Sequence, residues 1–542
     1  MCSWSIAFWE ANTEECRQHL KSDDAWESIP LLCQVPSDEL VDGQLMRFRG
    51  MIQDMYDPEF YLSQYEVVSK ADGCSSVRSG KFKETIAWEA NEEFVQDSAR
   101  NVHSERHSFY CVPVPGINPW VHSLHRDANS KPGVQLPVQE ANTSEACAPE
   151  CSKVSPPKRV CLDSNSQARL RSTKQSDLNF PLPGQEGTVC MLKVYDGERF
   201  RLNDVVEVVG FVSASPATGE GDAPCPGVPG LHCVAVRRLT HCNPLWSAIA
   251  EREAVFEGAE SVRQELHMLL SGLLLGDTLA AEYLLCHLLS SVYLRNNTMA
   301  LGKMSLNVTN VPTGCDYANK MYNILSLLLP KSHFLPMTLD NLNKQTFVPK
   351  KDYSENRLKS GVLQLSAHTH LVLDETQLMP GQLDACGVQN VTALGMVVRH
   401  QKLDYDFKYY SLEFETDIPV LVLSEGKSLL PSDVVIPLRA DSPHVAETFE
   451  AATHYLKEPL LGNVRVYLTA MMQANFTVPA AMQEVIENDF VEMRKENSKF
   501  TPDDLHRLLV LARLVSLSRG CRELTAPLWK HAVDMERRRQ QR

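Results

Sequence analysis

The sequence predicts a multidomain protein that is β-rich in its first half, α/β in its second and helical at its C-terminus. Length, a change of hydrophobic period along the chain and one long polar interruption together predict it. At 542 residues the chain exceeds what one ordinary hydrophobic core organises. Its 43% hydrophobic and 22% charged residues are those of a folded protein. A net charge of −15 argues against a surface built to grip phosphate backbones, which needs a basic face to displace counterions.

The elements follow in order. Residues 1–40 form an N-terminal helical segment patterned around Trp9, Cys16 and Leu20. From Gln44 the period changes to two, and LMRFRGMIQ (45–53) alternates as a half-buried strand does. A turn at Asp57-Pro58 precedes a second alternating run, 60–68, and HSFYCVPV (107–114) supplies a third strand. Short strands separated by turns predict an OB-like β-barrel in the N-terminal part, 41–116. Residues 117–178 are rich in Pro, Ser, Asn, Gln and Ala without any period, and are expected to be a disordered linker. Strand pattern returns at 188–195, 204–213 and 231–237, inside a β-rich segment spanning 179–245. Pattern alone leaves open whether these strands complete the first barrel or form another.

Residues 246–440 read as an α/β domain, in which helical runs (262–294, 317–329) alternate with strand-like segments at 304–308, 371–373 and 419–423. Residues 441–542 form a C-terminal helical region. There Thr501-Pro502-Asp503-Asp504 combines an N-cap hydroxyl, proline at the first helical position and acids at the positive dipole end. Leu505, Leu508, Leu509, Ala512 and Val515 continue it as one apolar stripe. The terminal Arg537-Arg538-Arg539 reads as a solvated basic end.

Several kinds of chemistry are unsupported. The 16 cysteines show no CxxC pair, Cys147 and Cys151 being the nearest approach, so reduced thiols are expected and no metal site. His103 and His107, like His368 and His370, lack a third ligand and read as surface histidines. No GxSxG elbow is present. Residues 1–10 lack the basic and apolar regions of a signal peptide. The apolar run 266–294 is broken by Gly276, Asp277, Glu282 and two histidines, so it reads as buried helices and not a membrane span. A soluble intracellular protein without a membrane partner is expected. Arg47 and Arg49 beside Phe60 and Tyr61 have the residue types of a stacking platform for single-stranded nucleic acid. On an acidic chain, core aromatics with exposed arginines are the better reading, and direct nucleic-acid binding is not expected.

A series of longer segments carries a resemblance. They are MIQDMYDPEFY (51–61), FYCVPVPG (109–116), DLNFPLPG (177–184), LLGDTLAAEYLLCHLLS (274–290), KDYSENRLKSGVLQL (351–365), LVLDETQL (371–378) and YDFKYY (405–410), followed by NDFVEMRK and TPDDLHRLLVLARLVSLS. In this order, and over most of the chain, the sequence resembles the MCM-binding protein family. The resemblance implies a nuclear protein that associates with subunits of the MCM replicative helicase and with chromatin only indirectly. It further implies promotion of MCM disassembly and unloading from chromatin, and roles in DNA replication, sister chromatid cohesion, the cell cycle and division at mitosis.

MCM subunits are AAA+ ATPases, so the resemblance raises the question of a degenerate copy. A phosphate loop needs close-approaching glycines, a lysine and a Ser/Thr. Gly276-Asp277 begins such a loop in the MCM manner, but Glu282 stands at the lysine position and Tyr283 at the hydroxyl position. Lys303 follows Gly302 without the upstream glycine. Asp374-Glu375, ending LVLDE, resembles a Walker-B acid pair; its bland alternative is an acidic end to a buried strand. The strand 420–423 ends in Ser424-Glu425, where an MCM subunit carries a sensor asparagine, and Asp503 stands where the MCM helical lid carries an arginine. The expected fold is therefore a degenerate AAA+-like (MCM-like) α/β domain with a C-terminal helical lid, holding no cofactor and performing no catalysis. The competing readings are an active AAA+-type ATPase and an OB-fold single-stranded DNA-binding protein.

The linker holds Ser155-Pro-Pro-Lys158-Arg159-Val-Cys-Leu162-Asp163, which resembles a short nuclear import signal carried by Lys158 and Arg159. Ser155-Pro156 also fits a proline-directed kinase site, and a phosphate there adds about two negative charges beside the import cations. Ser155→Asp is expected to reduce nuclear accumulation of the full chain, measured by fluorescence microscopy; unchanged import contradicts the reading.

Overall fold

The computed structural model describes residues 4–36, 39–129, 178–195, 197–213, 227–296, 299–440 and 445–542. Ser155, Lys158 and Arg159 lie outside them. In the first half the strands are β1 (Leu45–Met55), β2 (Glu59–Ser69), β3 (Ser75–Ser79), β4 (Glu92–Phe94), β5 (Val102–Val112), β6 (Cys190–Val194), β7 (Val205–Ser213) and β8 (Gly230–Arg238). They make one eight-stranded sheet, not two. β1 pairs with both β5 and β7, while β5–β6, β6–β8 and β7–β8 complete a ring; only β6–β8 is parallel. β2, β3 and β4 extend from the first half of β5.

Alternation explains the ring. Met46, Phe48, Phe109, Cys111, Leu192, Val206 and Val208 turn inward to a common core. On the outside, Val209 and Phe211 are covered by N-terminal helices bearing Trp9, Cys16, Leu20 and Trp26. β7 is therefore buried along its whole length, which is why VVEVVGFVS reads as a nearly continuous apolar run. Gly210 sits where the β7–β8 register shifts, and a Cβ there would lie 2.5 Å from the His232 carbonyl oxygen.

Regular structure continues past Gly116, despite the polar composition there. Ser332 N–H donates to the Gly116 carbonyl, Ile117 bridges Lys331, and a helix spans Pro119–Asn129. Asn118 and Trp120 donate to the Leu329 carbonyl at 2.7 and 2.9 Å. The linker boundary expected at 117 is thus corrected: these side chains find buried partners some 200 positions away in sequence, which composition cannot show.

The second half adds a hairpin, β9 (Leu294–Asn296) with β10 (Met299–Leu301). There follow β11 (Leu306–Thr309), β12 (Ser332–Pro336), β13 (Lys350–Asp352), β14 (Arg357–Lys359), β15 (His370–Asp374), β16 (Lys402–Asp406), β17 (Ser411–Glu415), β18 (Val420–Leu423) and β19 (Val434–Pro437). A five-stranded sheet has the order β12-β15-β18-β11-β19 and is parallel throughout. Helices cover it, as parallel strands require, with Leu306, Val308, Leu421 and Leu423 packing toward the helical cluster and Leu371, Leu373, Val420 and Val422 toward the opposite one. A four-stranded sheet, β14-β13-β16-β17, is built from two hairpins.

The apolar run near 266–294 forms two helices, Ala259–Leu273 and Thr278–Leu288, bent by 119°. Among the described residues no single helix is long and apolar enough to cross a membrane. The helix Pro502–Ser518 starts as its sequence predicts, in a capping box of Thr501 with Asp504 and with proline in the first turn.

The two halves meet at one strand edge. Gln53 and Asn179 donate to the Leu358 carbonyl, each at 2.8 Å, and Leu358 N–H donates to Asp54 Oδ2 at 2.6 Å. Gln364 donates to the Gln53 carbonyl, and Asn203 to the Tyr405 hydroxyl. Side chains of the first half thus hydrogen-bond the outer edge of β14 in place of another strand. Asp54→Ala would leave the buried Leu358 N–H without an acceptor, at a cost of about 1–3 kcal/mol. Chemical unfolding of the full chain should show that loss; a change under about 0.5 kcal/mol, the scale of an ordinary surface substitution, contradicts it.

Candidate functional site

In an open parallel sheet, ligands bind beyond the carboxyl ends of the strands. At the three inner strands these ends lead into 310–316 after β11, Asp374-Glu375 at the end of β15 and Ser424-Glu425 after β18. The strand–loop–helix arrangement that a phosphate loop needs is therefore β11, the segment Asn310-Val-Pro-Thr-Gly-Cys-Asp316, and the helix Tyr317–Leu328. The segment has one glycine and no lysine. Its N–H groups at Asn310 and Val311 donate to the carbonyls of Glu425 and Ser424, both at 3.1 Å. Asp316 caps the helix in a left-handed conformation, φ 54°. A carboxylate at this helix start opposes an incoming phosphate electrostatically.

Gly276 and Asp277 are placed elsewhere. They form a turn between two helices and do not follow a strand, so the alignment of 276–283 with a phosphate loop is corrected. Gly276, at φ 96°, donates its N–H to Ser271 and closes the preceding helix. Asp277 caps the next one, accepting from Ala280 N–H at 3.0 Å. It also accepts from Arg439 N–H and from the Arg542 guanidinium, and these partners hold its carboxyl below the usual range against the opposing effect of burial. Glu282 makes a 2.6 Å ion pair with Arg263, and the buried Tyr283 hydroxyl donates to Glu536. This turn and helix receive the C-terminal helix Ala526–Gln540 through Glu536 and the chain beyond it through Arg542. Arg539 also bonds the Val435 carbonyl, so the terminal basic residues are not all a solvated end.

The acid pair does end a buried strand. Asp374 is 3% exposed and accepts from the Thr376 hydroxyl at 2.6 Å and the Thr376 N–H at 3.0 Å. Glu375 accepts from Ser428 at 2.8 Å, and burial raises its carboxyl above the ordinary range. Both carboxyls are occupied by neighbouring hydroxyls. Ser424 donates to Asn307 Oδ1 at 2.9 Å. Lys303 is paired with Asp433. Asp503 is exposed in the first turn of Pro502–Ser518, where Asp504, not Asp503, makes the cap. Of the positions read from sequence, Asp374-Glu375 and Ser424-Glu425 stand at strand ends of the sheet, and Gly276, Asp277, Glu282 and Asp503 do not.

Other candidates change character. Arg47 is 5% exposed and bonds Glu207, which Arg49 shares, so neither is a free cation on a surface. Tyr61 packs edge-on against Tyr195 beneath Arg106, and only Phe60 of that group is exposed. His370 is not on the surface: it is 3% exposed and stacks edge-on against His287, whose ring bonds the Met304 carbonyl. His368 lies 3.2 Å from Asp417. The described residues contain no group of three or more His, Cys, Asp or Glu placed to hold a metal ion. Sequence reasoning missed 310–316, whose signal was a Pro-Thr-Gly turn between an apolar run and a helical pattern. It also missed Gln53, Asp54 and Arg542, for which no local signal exists.

A family model described as mini-chromosome maintenance replisome factor matches residues 16–542. The chain belongs to that family. Among curated relatives, the mini-chromosome maintenance complex-binding protein of Drosophila melanogaster is 41% identical, covering 99% of this chain and 96% of that protein. Its namesakes in Danio rerio and Homo sapiens are 38% and 36% identical, with 97% and 98% of this chain and 93% and 94% of theirs aligned. A correspondence of this extent leaves neither half of the fold outside the family.

Burial of neutral histidines sets a pH dependence. His232 and His287, each 1% exposed, are pushed down to about 3 and about 4, and His370 well below its ordinary value, in each case chiefly by burial. A depressed histidine keeps its full stabilising contribution above the unfolded value near 6.5 and loses it as pH falls toward the folded value. Each contributes about 1.4 kcal/mol per pH unit in that window. Asp54, Glu375 and Asp417, raised by burial, have the opposite sign. The unfolding midpoint of the full chain should fall between pH 6.5 and 4.5, and less steeply in His287→Gln. A midpoint that is flat or rises over this range contradicts the assignment.

Proposed function

We propose that this chain is a non-enzymatic binding protein for the MCM complex. The observation that carries the partner is the end-to-end relationship to proteins named for binding that complex. The reading extends to a nuclear protein that promotes disassembly and unloading of MCM from chromatin and so supports replication and sister chromatid cohesion. Its contact with chromatin is indirect, through MCM.

Two architectural assignments belong to the same proposal. The ring β1-β5-β6-β8-β7, closed on β1, supports an OB-like barrel, since the OB-fold is a five-stranded Greek-key barrel. The fully parallel sheet whose first strand lies between its fourth and fifth in chain order, with an acid pair ending the third, supports a degenerate AAA+-like domain. The helices of 445–542 are its lid. A lysine-free segment 310–316 closed by Asp316 supports the absence of nucleotide chemistry. A domain shaped like an MCM subunit, but idle, has the means to compete for a subunit interface without hydrolysing ATP.

One observation favours an active ATPase instead: Asp374-Glu375 does end a buried parallel strand. The readings separate on Asp374→Asn. Affinity capture from nuclear extract by the full chain should retrieve MCM subunits, and Asp374→Asn should retrieve them equally. Failure of the wild-type chain to retrieve any MCM subunit contradicts the proposal, and loss of capture in Asp374→Asn favours the ATPase.

A further inference from the structure

The sheet β14-β13-β16-β17 has two edges that the molecule treats differently. The β14 edge is closed by Gln53, Asp54 and Asn179. The β17 edge is open. Thr416 N–H donates to Gln401 and Phe407 N–H to Tyr410, which sets the phase of the β16–β17 ladder. With Leu403 opposite Phe414 and Tyr405 opposite Leu412, the even-numbered residues of β17 bond inward. Ser411, Glu413 and Glu415 therefore turn their N–H and C=O groups outward, and no other described residue bonds them.

The two faces beside this edge are chemically distinct. One bears the buried Leu403 and Tyr405 and continues outward through Phe414 to Leu412 and Tyr410, which are 44% and 54% exposed. The apolar face thus runs past the core into solvent, to the stacked pair Phe407–Tyr410 and the hairpin tip, where Tyr409 is 77% exposed. On β16 and β17 the other face carries Asp404, Asp406, Glu413 and Glu415 with Lys402, and Arg295 pairs with Glu415; on β13 and β14 it continues into Lys350, Arg357 and Lys359 beside Asp352. The two strands nearest the edge are net negative, as is the chain at −15.

Resting on the MCM-binding reading, we propose that the β17 edge docks an extended segment of an MCM subunit, added as a fifth strand. Main-chain bonds supply affinity and alternate side chains specificity in such an addition. The segment the edge fits is amphipathic: apolar residues over Leu412 and Tyr410, Lys or Arg over Glu413 and Asp404. A second copy of this chain does not fit. Antiparallel self-pairing centred on this edge would set Glu413 against either Glu413 or Glu415 of the second copy, and like charges directly opposite destabilise a pair. The same carboxylates disfavour a nucleic-acid backbone.

Glu413→Pro tests the proposal with little disturbance, because the N–H it removes is unused inside the sheet and proline is tolerated on an edge. Full-length chain would be titrated with purified MCM complex, and thermal midpoints recorded alongside. Glu413→Pro and Tyr410→Ser/Leu412→Ser should each weaken binding at least tenfold, with the midpoint of the double variant unchanged. If Glu413→Pro lowers the midpoint, the double variant alone decides. Wild-type affinity in the deciding variants overturns the edge assignment and leaves MCM binding intact; no binding by the wild-type chain overturns both. Retention of an oligothymidine by the wild type, lost in the double variant, also overturns it in favour of base stacking.

Discussion

The architecture depends on how one strand edge is closed. β14 is short and would end its sheet with unpaired backbone groups at Leu358. The side chains of Gln53, Asp54 and Asn179 take the place of a further strand there, reaching from the sheet of the first half. The cost of leaving a buried N–H or C=O unpaired makes these few contacts decisive. With Asn118 and Trp120 bonded beside β12, they fix the two halves at two separated places.

This arrangement has a functional consequence. Open parallel sheets bind ligands beyond the carboxyl ends of their strands, yet here those ends are bonded within the chain. Asp374 is bonded by Thr376, Glu375 by Ser428, and the first N–H groups of 310–316 by the carbonyls after β18. A nucleotide arriving there would displace these bonds and meet the Asp316 carboxylate, beside which Lys320 is held on the Cys315 carbonyl. Strand ends closed in this way suit the proposed role in binding an MCM complex.

Much of the fold was legible in the sequence, for identifiable reasons. Period-two alternation located β1, β2 and the end of β5, and the Thr501-Pro502-Asp503-Asp504 start predicted a helix whose capping box is present. Whether the strands on either side of the long polar stretch belong together was not legible, because strand pairing across more than a hundred residues leaves no local trace. The site was less legible still. Gly276-Asp277 looked like a phosphate loop because a helix C-cap also needs glycine and an N-cap also favours aspartate. His370 and Arg47 read as surface residues because local polarity carries no information about a distant partner such as His287 or Glu207.

The central claim is that an AAA+-like domain serves binding and not catalysis. Isothermal titration of the full chain with ATP and magnesium at millimolar concentration tests it most directly. No saturable heat of binding and no release of phosphate are expected. Saturable binding that is abolished by Asp374→Asn, with measurable hydrolysis, would contradict it.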